Sequence, residues 1–323
     1  MKRRIAVVFP GQGSQSVGMA DDIVAFSPQA KALFERASTV LGYDLLKLTH
    51  EGPDVALQDT RVSQPAIFVT NLALLAALGD TVQPIVAAGH SFAEYCALTV
   101  AGVFDFETAV ALVHARGQAM GRAADRVAGA MSAVLGLEAE QLRPIIAAVR
   151  AADPQARVSL ANFNAPTQIV ISGDRRGVEA VGAQAVAAGA KRVVPLNVSG
   201  AWHSELMQPA RDEFAVAVAQ VAMSAPQIPV ISNVDALPYQ QIEHIRENLV
   251  RSVTDEVRWH DTALGLFRYE PDLIIECGAG RVLASLIKRL PGAPDVVHVG
   301  DRKSLAEVQE LLARDLQEVC EPL

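Results

Sequence analysis

Residues 89–95 read Gly-His-Ser-Phe-Ala-Glu-Tyr and follow the apolar run Pro-Ile-Val-Ala-Ala at 84–88. A short strand-like run, a Gly-His-Ser turn and then a helix-compatible stretch form the pattern of a nucleophile elbow. Such a turn exposes the serine hydroxyl and aims the next backbone N–H at the same reacting atom. The chemistry it suggests is acyl transfer through a covalent ester on Ser91. The usual form is Gly-x-Ser-x-Gly, and Ala93 holds the last place here. The competing reading is a serine at a strand end with no chemistry, so its partners must decide.

A serine nucleophile needs a base. Of the seven histidines, His203 is the best placed, in Ser199-Gly200-Ala201-Trp202-His203 after a strand-like segment, in a loop that would face a cleft. His90 adjoins the serine but is held by the backbone of the turn, so it is read as shaping that turn. Oxyanion donors are also needed. The glycine-rich run Phe9-Pro10-Gly11-Gln12-Gly13-Ser14-Gln15 follows a strand-like segment and can present backbone N–H groups at the carboxyl edge of a sheet. A dinucleotide loop is the rival, because Gly11-x-Gly13 follows a strand. Its third glycine would fall at Ser16, and the acidic residue expected after a second strand has no clear match.

These residues need a scaffold whose strand ends meet. Residues 5–9, 86–88 and 273–275 are short apolar runs, read as buried parallel strands. Helical segments lie between them, among them 65–78, with Pro65 in its first turn, and 107–122. Strands alternating with helices give an α/β fold, a large α/β-hydrolase-like domain with a mostly parallel sheet. The middle of the chain differs. Strands at 131–135, 158–162, 168–172 and 192–198 and helices at 138–151 and 178–188 follow the order βαββαβ, a ferredoxin-like unit. The expected division is a large catalytic domain of 1–128 and 198–323 with an inserted subdomain of 129–197, the cleft between them being the binding site. Segment 304–319 reads as a docking helix, with Ser304 and Glu307 spaced as a capping box.

Composition narrows the partners. Half the residues are hydrophobic and the net charge is −8, which argues for a well-cored protein and against nucleic acid as the main partner. Three scattered cysteines without metal or redox spacing suggest a reducing cytoplasm. The basic start Met1-Lys2-Arg3-Arg4 precedes only five apolar residues, too few for a signal peptide, and no run reaches the ~18 continuous apolar residues of a membrane span.

Taken together, the run at 9–15, Gly89-His90-Ser91, Arg116-Gly117-Gln118-Ala119-Met120, and the run ending at His203 resemble the malonyl-CoA:acyl carrier protein transacylase family in order and spacing. Asn162-Phe163-Asn164, Asn233-Val234-Asp235 and Glu276-x-Gly278-x-Gly280-x-Val282-Leu283 fit it too, so the resemblance spans nearly the whole chain. It implies Ser91 as the acylated nucleophile, His203 as its base, and the backbone N–H groups of Gln12 and Phe92 as the oxyanion hole. Arg116 would pair with the free carboxylate of a malonyl group. The implied partners are malonyl-CoA and an acidic acyl carrier protein, with Lys191, Arg192, Lys288 and Arg289 as candidate docking residues, in fatty-acid or polyketide synthesis. No metal or bound cofactor is implied, the phosphopantetheine arm belonging to the partner.

The chain departs from the family pattern in three places. Ala93 replaces a glycine. Ser252 stands where the family often has a glutamine whose backbone carbonyl orients the histidine, and the change would alter the pocket wall. Trp202 is bulkier than the common phenylalanine, which should restrict α-substituents on the acyl group. Two alternatives stand beside transfer to a carrier. One is an acyl-carrier hydrolase of the same fold, disfavoured by the Arg116 clamp. The other is a non-catalytic carrier-binding protein, disfavoured by the intact Ser91 and His203.

Overall fold

The computed structural model describes residues 3–320. Among the described residues eight strands run in chain order: β1 Ile5–Phe9, β2 Pro84–Gly89, β3 Gly129–Leu135, β4 Val158–Ala165, β5 Gln168–Asp174, β6 Arg192–Pro195, β7 Leu273–Cys277 and β8 Asp295–Val299. They divide into two four-stranded sheets. The larger has the order β2-β1-β7-β8 and every pairing in it is parallel. The central strands β1 and β7 are buried along their whole length, as an apolar run covered on both faces must be.

Register in this sheet sets up the site. Phe9 pairs with Gly89, so β1 and β2 end side by side. The glycine-rich turn and the Ser91 turn therefore leave the same carboxyl edge as neighbours, the edge where parallel α/β sheets place their ligands. The N–H of His90 donates to the Phe9 carbonyl at 2.9 Å and extends that pairing one residue into the turn.

The smaller sheet is antiparallel, in the order β4-β5-β3-β6. All of its strands fall within 129–197, and all strands of the larger sheet fall outside it. With helices Ala139–Ala152 and Arg175–Ala187 it makes the βαββαβ order of a ferredoxin-like unit. Strand alternation gives the sheet two apolar faces. Ile169 and Ile171 face its own helices, while Val170 and Met131 join the large core. The second face thus lies over the large domain. Reciprocal backbone bonds stitch the two together, Phe163 N–H to Val257 O and Val257 N–H to Ala161 O, each 2.8 Å.

Three sequence expectations change. A fourth parallel strand, β8, extends the larger sheet. The helix expected from Pro65 begins at Thr60, because Asp59 caps it by accepting from Arg61 N–H at 2.9 Å, so Pro65 lies inside the helix. The last helix, Arg302–Cys320, is capped by Asp301 rather than Ser304. Ser304 instead completes the box: its N–H donates to Asp301 Oδ1 at 2.7 Å, and its hydroxyl accepts from Asp301 N–H at 3.1 Å. The segment 60–81 is long and apolar enough to cross a membrane, yet most of it is packed inside the protein as a core helix.

Candidate active site

Ser91 follows β2 in a single tight turn that leads into helix Glu94–Val100. Its φ is +56°, in the left-handed region that a non-glycine residue occupies only when its surroundings hold it there. Gly89 makes the turn possible. A Cβ there would lie 2.0 Å from the Ala93 carbonyl oxygen, so strand and helix cross at backbone contact. Ala93 is fully buried in the core, and its methyl is accommodated without breaking the elbow.

The serine Oγ lies 2.7 Å from His203 Nε2. His203 also has positive φ, at +58°. Its Nδ1 faces the backbone carbonyl of Asp255 at 3.1 Å. A carbonyl can only accept, so Nδ1 carries the hydrogen and the Nε2 lone pair is free to take the serine proton. Burial, then the nearby cation of Arg116 and His90, lower the His203 pKa to about 3, against a smaller upward pull from the carbonyls of Asp255 and Ser252. The imidazole is a neutral base in the resting site.

The glycine-rich turn is pinned from three sides. Asn71 Nδ2 donates to the Pro10 carbonyl at 3.0 Å, and Thr60 Oγ1 donates to Gln12 Oε1 at 3.2 Å. Gly11 lies so close to the elbow that a Cβ would come within 2.5 Å of the His90 carbonyl oxygen. The turn and the elbow are thus one packed unit, with Gln12 and Phe92 both on the cavity that holds Ser91 and His203.

Arg116 comes from helix Phe106–Arg126 and is 1% exposed. Its Nη1 donates to Gln64 Oε1 at 3.0 Å, while Nε and Nη2 have no hydrogen-bond partner. Burial pulls its pKa down from the ordinary arginine value, with Tyr95 and Glu94 pulling the other way. Buried charges are otherwise paired. Here one edge of the guanidinium fork is unpaired, and Arg116 lines the same cavity as Ser91 and His203.

That cavity is small, about 80 Å3, with Gln12, Phe92, Met131 and Trp202 among its walls. It is well below the roughly 300–1,000 Å3 of a drug-sized ligand pocket, which suits a short acyl group. Larger depressions of about 520 Å3 beside Arg143 and about 790 Å3 beside Met223 lack the Ser91–His203 pair.

The structure brings together Ser91, His203, Gln12, Phe92, Arg116, His90 and Trp202. His90 Nε2 lies 3.0 Å from Asn164 Oδ1, and burial lowers the His90 pKa. Ser252 does not form a wall of the cavity. Its hydroxyl donates to Leu249 O at 2.8 Å, at the end of helix Ile242–Arg251. Its main-chain carbonyl still acts on His203, together with that of Asp255, which accepts from Nδ1 at 3.1 Å. Lys191 and Arg192 lie at the start of β6 and Lys288 and Arg289 beyond helix Val282–Ile287, and all four are exposed. Sequence reasoning gave no role to Gln64, Asp255, Glu94 or Asn233. Two carried a signal, Glu94 within the run 89–95 and Asn233 as part of Asn233-Val234-Asp235.

A strand, a serine turn with positive φ, a histidine at 2.7 Å and a second glycine-rich turn beside them define a serine acyl-transfer enzyme. Comparison with known proteins agrees. Residues 6–300 match the model of the acyl transferase domain, and the chain belongs to that family. It is 40% identical over 310 residues, 95% of this chain and 99% of the relative, to the malonyl CoA-acyl carrier protein transacylase of Escherichia coli strain K12. The Bacillus subtilis protein of the same name is 37% identical over 316 residues, 98% of each chain. Among solved structures, a type II PKS acyl-carrier protein in complex with its malonyl-transacylase matches with a TM-score of 0.91 and 39% identity, covering 95% of this chain and 99% of the other. An acyl carrier protein S-malonyltransferase from Vibrio cholerae matches at 0.88 and 41%, covering 94% and 99%.

Proposed function

We propose that this chain transfers a malonyl group from CoA to the phosphopantetheine thiol of an acyl carrier protein, in fatty-acid or polyketide synthesis. One observation carries the choice of acyl group. Arg116 is a buried cation whose Nε and Nη2 lack partners in the cavity of a serine nucleophile. These two nitrogens lie along one edge of the guanidinium, the edge that binds a carboxylate through two parallel hydrogen bonds. A malonyl thioester supplies a carboxylate one methylene away from the carbonyl that Ser91 attacks. The names of the relatives support the same substrate and partner.

The reaction runs in two halves. Ser91 Oγ bonds to the thioester carbonyl carbon while its proton passes to His203 Nε2. The Asp255 carbonyl, accepting from Nδ1–H, stabilises the imidazolium. The negative charge on the former carbonyl oxygen is held by the backbone N–H groups of Gln12 and Phe92. The carbon–sulfur bond then breaks, His203 returns its proton to the departing sulfur, and malonyl-Ser91 remains. In the second half His203 takes the proton of the carrier's thiol. The sulfur attacks the ester, and the proton returns to Ser91 Oγ. Side chains and backbone donors of this chain account for each proton and each bond, so the proposal includes no metal or resident cofactor.

Trp202 walls the acyl space, which supports a preference for malonyl over α-substituted groups. The exposed Lys191, Arg192, Lys288 and Arg289 are proposed to meet an acidic carrier. Two buried free cysteines, Cys96 and Cys277, support a cytoplasmic setting.

The test is intact-protein mass after mixing with malonyl-CoA. We expect one malonyl adduct, absent in Ser91→Ala and cleared by a phosphopantetheinylated carrier protein. An adduct that clears equally fast in buffer alone would turn the reading towards the hydrolase.

A further inference from the structure

Asn233 touches the nucleophile from outside the reacting cavity. Ser91 N–H donates to Asn233 Oδ1 at 2.6 Å, and Asn233 Nδ2 donates to the Gly89 carbonyl at 2.8 Å. One side-chain amide therefore bridges the serine and the residue two before it, across the turn that puts Ser91 at positive φ. The two bonds match an amide's one acceptor and one donor face, so the bridge works in a single orientation of Asn233.

That orientation is fixed in turn. Asn233 N–H donates to Glu94 Oε2 at 2.7 Å, and the Tyr239 hydroxyl donates to Glu94 Oε1 at 2.5 Å. Glu94 is 2% exposed and does not line the reacting cavity. Burial raises its pKa to about 7, against hydrogen bonds from Tyr239 and Asn233 and the charge of Arg116, which lower it. Burying a carboxyl group is costly unless its oxygens are engaged. Both of these oxygens accept bonds from the segment 233–239, which no helix or main-sheet strand of the described residues provides. The carboxyl group is the tie between that segment and the first turn of the helix that starts behind the nucleophile.

We propose that Glu94 is the positioning residue of the nucleophile: it fixes the Asn233 main chain, and through the Asn233 side chain it fixes Ser91 and the N–H of Phe92. The proposal rests on Ser91 being the acyl acceptor described above. It predicts a loss of Ser91 reactivity towards any acylating or phosphylating agent, with substrate recognition at Arg116 left alone.

The experiment follows labelling of Ser91 by a small fluorophosphonate, in which the serine oxygen displaces fluoride from phosphorus, alongside malonyl-CoA kinetics. In Glu94→Ala both labelling and acylation should slow by a similar factor, roughly 10²-fold, the effect of displacing a reacting group by about an ångström. KM for malonyl-CoA and the malonyl-to-acetyl preference should hold. Glu94→Gln keeps an acceptor oxygen for Asn233 N–H and should recover most of the rate. A folded Glu94→Ala that labels at the wild-type rate overturns the proposal, as does a folded Glu94→Gln that recovers none of it. If Glu94→Ala does not fold, Asn233→Ser decides: it removes the bridge and leaves Glu94 its main-chain donor. Slow labelling of that variant supports the proposal and wild-type labelling overturns it. If the wild type labels but takes no malonyl from CoA, the substrate reading fails, and the labelling series still judges Glu94.

Discussion

On the Ser91 side of the cavity, the N–H of the nucleophile, both ends of the Asn233 amide and both oxygens of Glu94 are hydrogen-bonded. On the Arg116 side, two of three guanidinium nitrogens are not. Buried polar groups are nearly always satisfied, so a built contrast of this kind separates two tasks. The hydrogen-bonded groups behind Ser91 place atoms and are complete without a ligand. The unsatisfied wall is completed by one. Chemistry and selection among acyl groups should therefore come apart under mutation.

The largest break is on the satisfied wall. His203→Ala should slow acylation by malonyl-CoA and by acetyl-CoA alike, by about 10²–10⁴-fold, the usual contribution of a positioned base. Rapid-quench acylation rates with both thioesters check this. Unequal loss would mean that the histidine also selects.

Arg116→Ala should break the other wall alone. It leaves a malonyl carboxylate without its partner in a closed site, a loss on the order of 2–5 kcal/mol for a buried charge pair. Malonyl transfer should fall by roughly two to three orders of magnitude, with acetyl transfer little changed or improved. The ratio of kcat/KM for the two thioesters is the readout. If both fall together, Arg116 is structural and the contrast between the walls fails.

A smaller effect joins the two walls through charge. Below its pKa an imidazole is protonated and no longer a base. With His203 held at about 3, kcat/KM for acetyl-CoA should stay level from about pH 7.5 to about pH 5. An ordinary histidine near 6.5 would already lose activity there. Arg116 is the second cause of that depression, after burial. Removing its positive charge makes the imidazolium less unfavourable, so the acid limb of Arg116→Ala should move to higher pH. A wild-type limb near pH 6.5 would show that His203 is not held down.

The sequence reveals Ser91, His203 and Arg116 because their signal is local: a residue type, its glycines and its aromatic neighbours within a few positions. The sheet that carries them is legible for the same reason, since β1 and β7 are unbroken apolar runs. Gln64 and Asn233 are not legible this way. Gln64 is a polar residue within an apolar helix, and its partner Arg116 lies on another helix. Asn233 acts on Ser91 across 142 positions. β8 escapes because it is an edge strand with Asp295 and His298 in a five-residue run, so its apolar pattern is diluted. The Ser252 carbonyl is legible from its position, but the helix end there turns the chain so that the Asp255 carbonyl faces His203 as well, and no side-chain signal marks it.

That carbonyl belongs to the main chain, and this changes how the site will look to genetics. Replacing Asp255 alters a carboxylate that pairs with Arg251 at 2.9 Å, yet the oxygen facing His203 Nδ1 survives every codon change at 255. A library scan of the whole chain would rank position 255 by the worth of its surface ion pair. The group completing the serine–histidine pair would leave no mark in such a map. It is accessible only to chemistry that edits the backbone itself, or to substitutions that bend the turn carrying it.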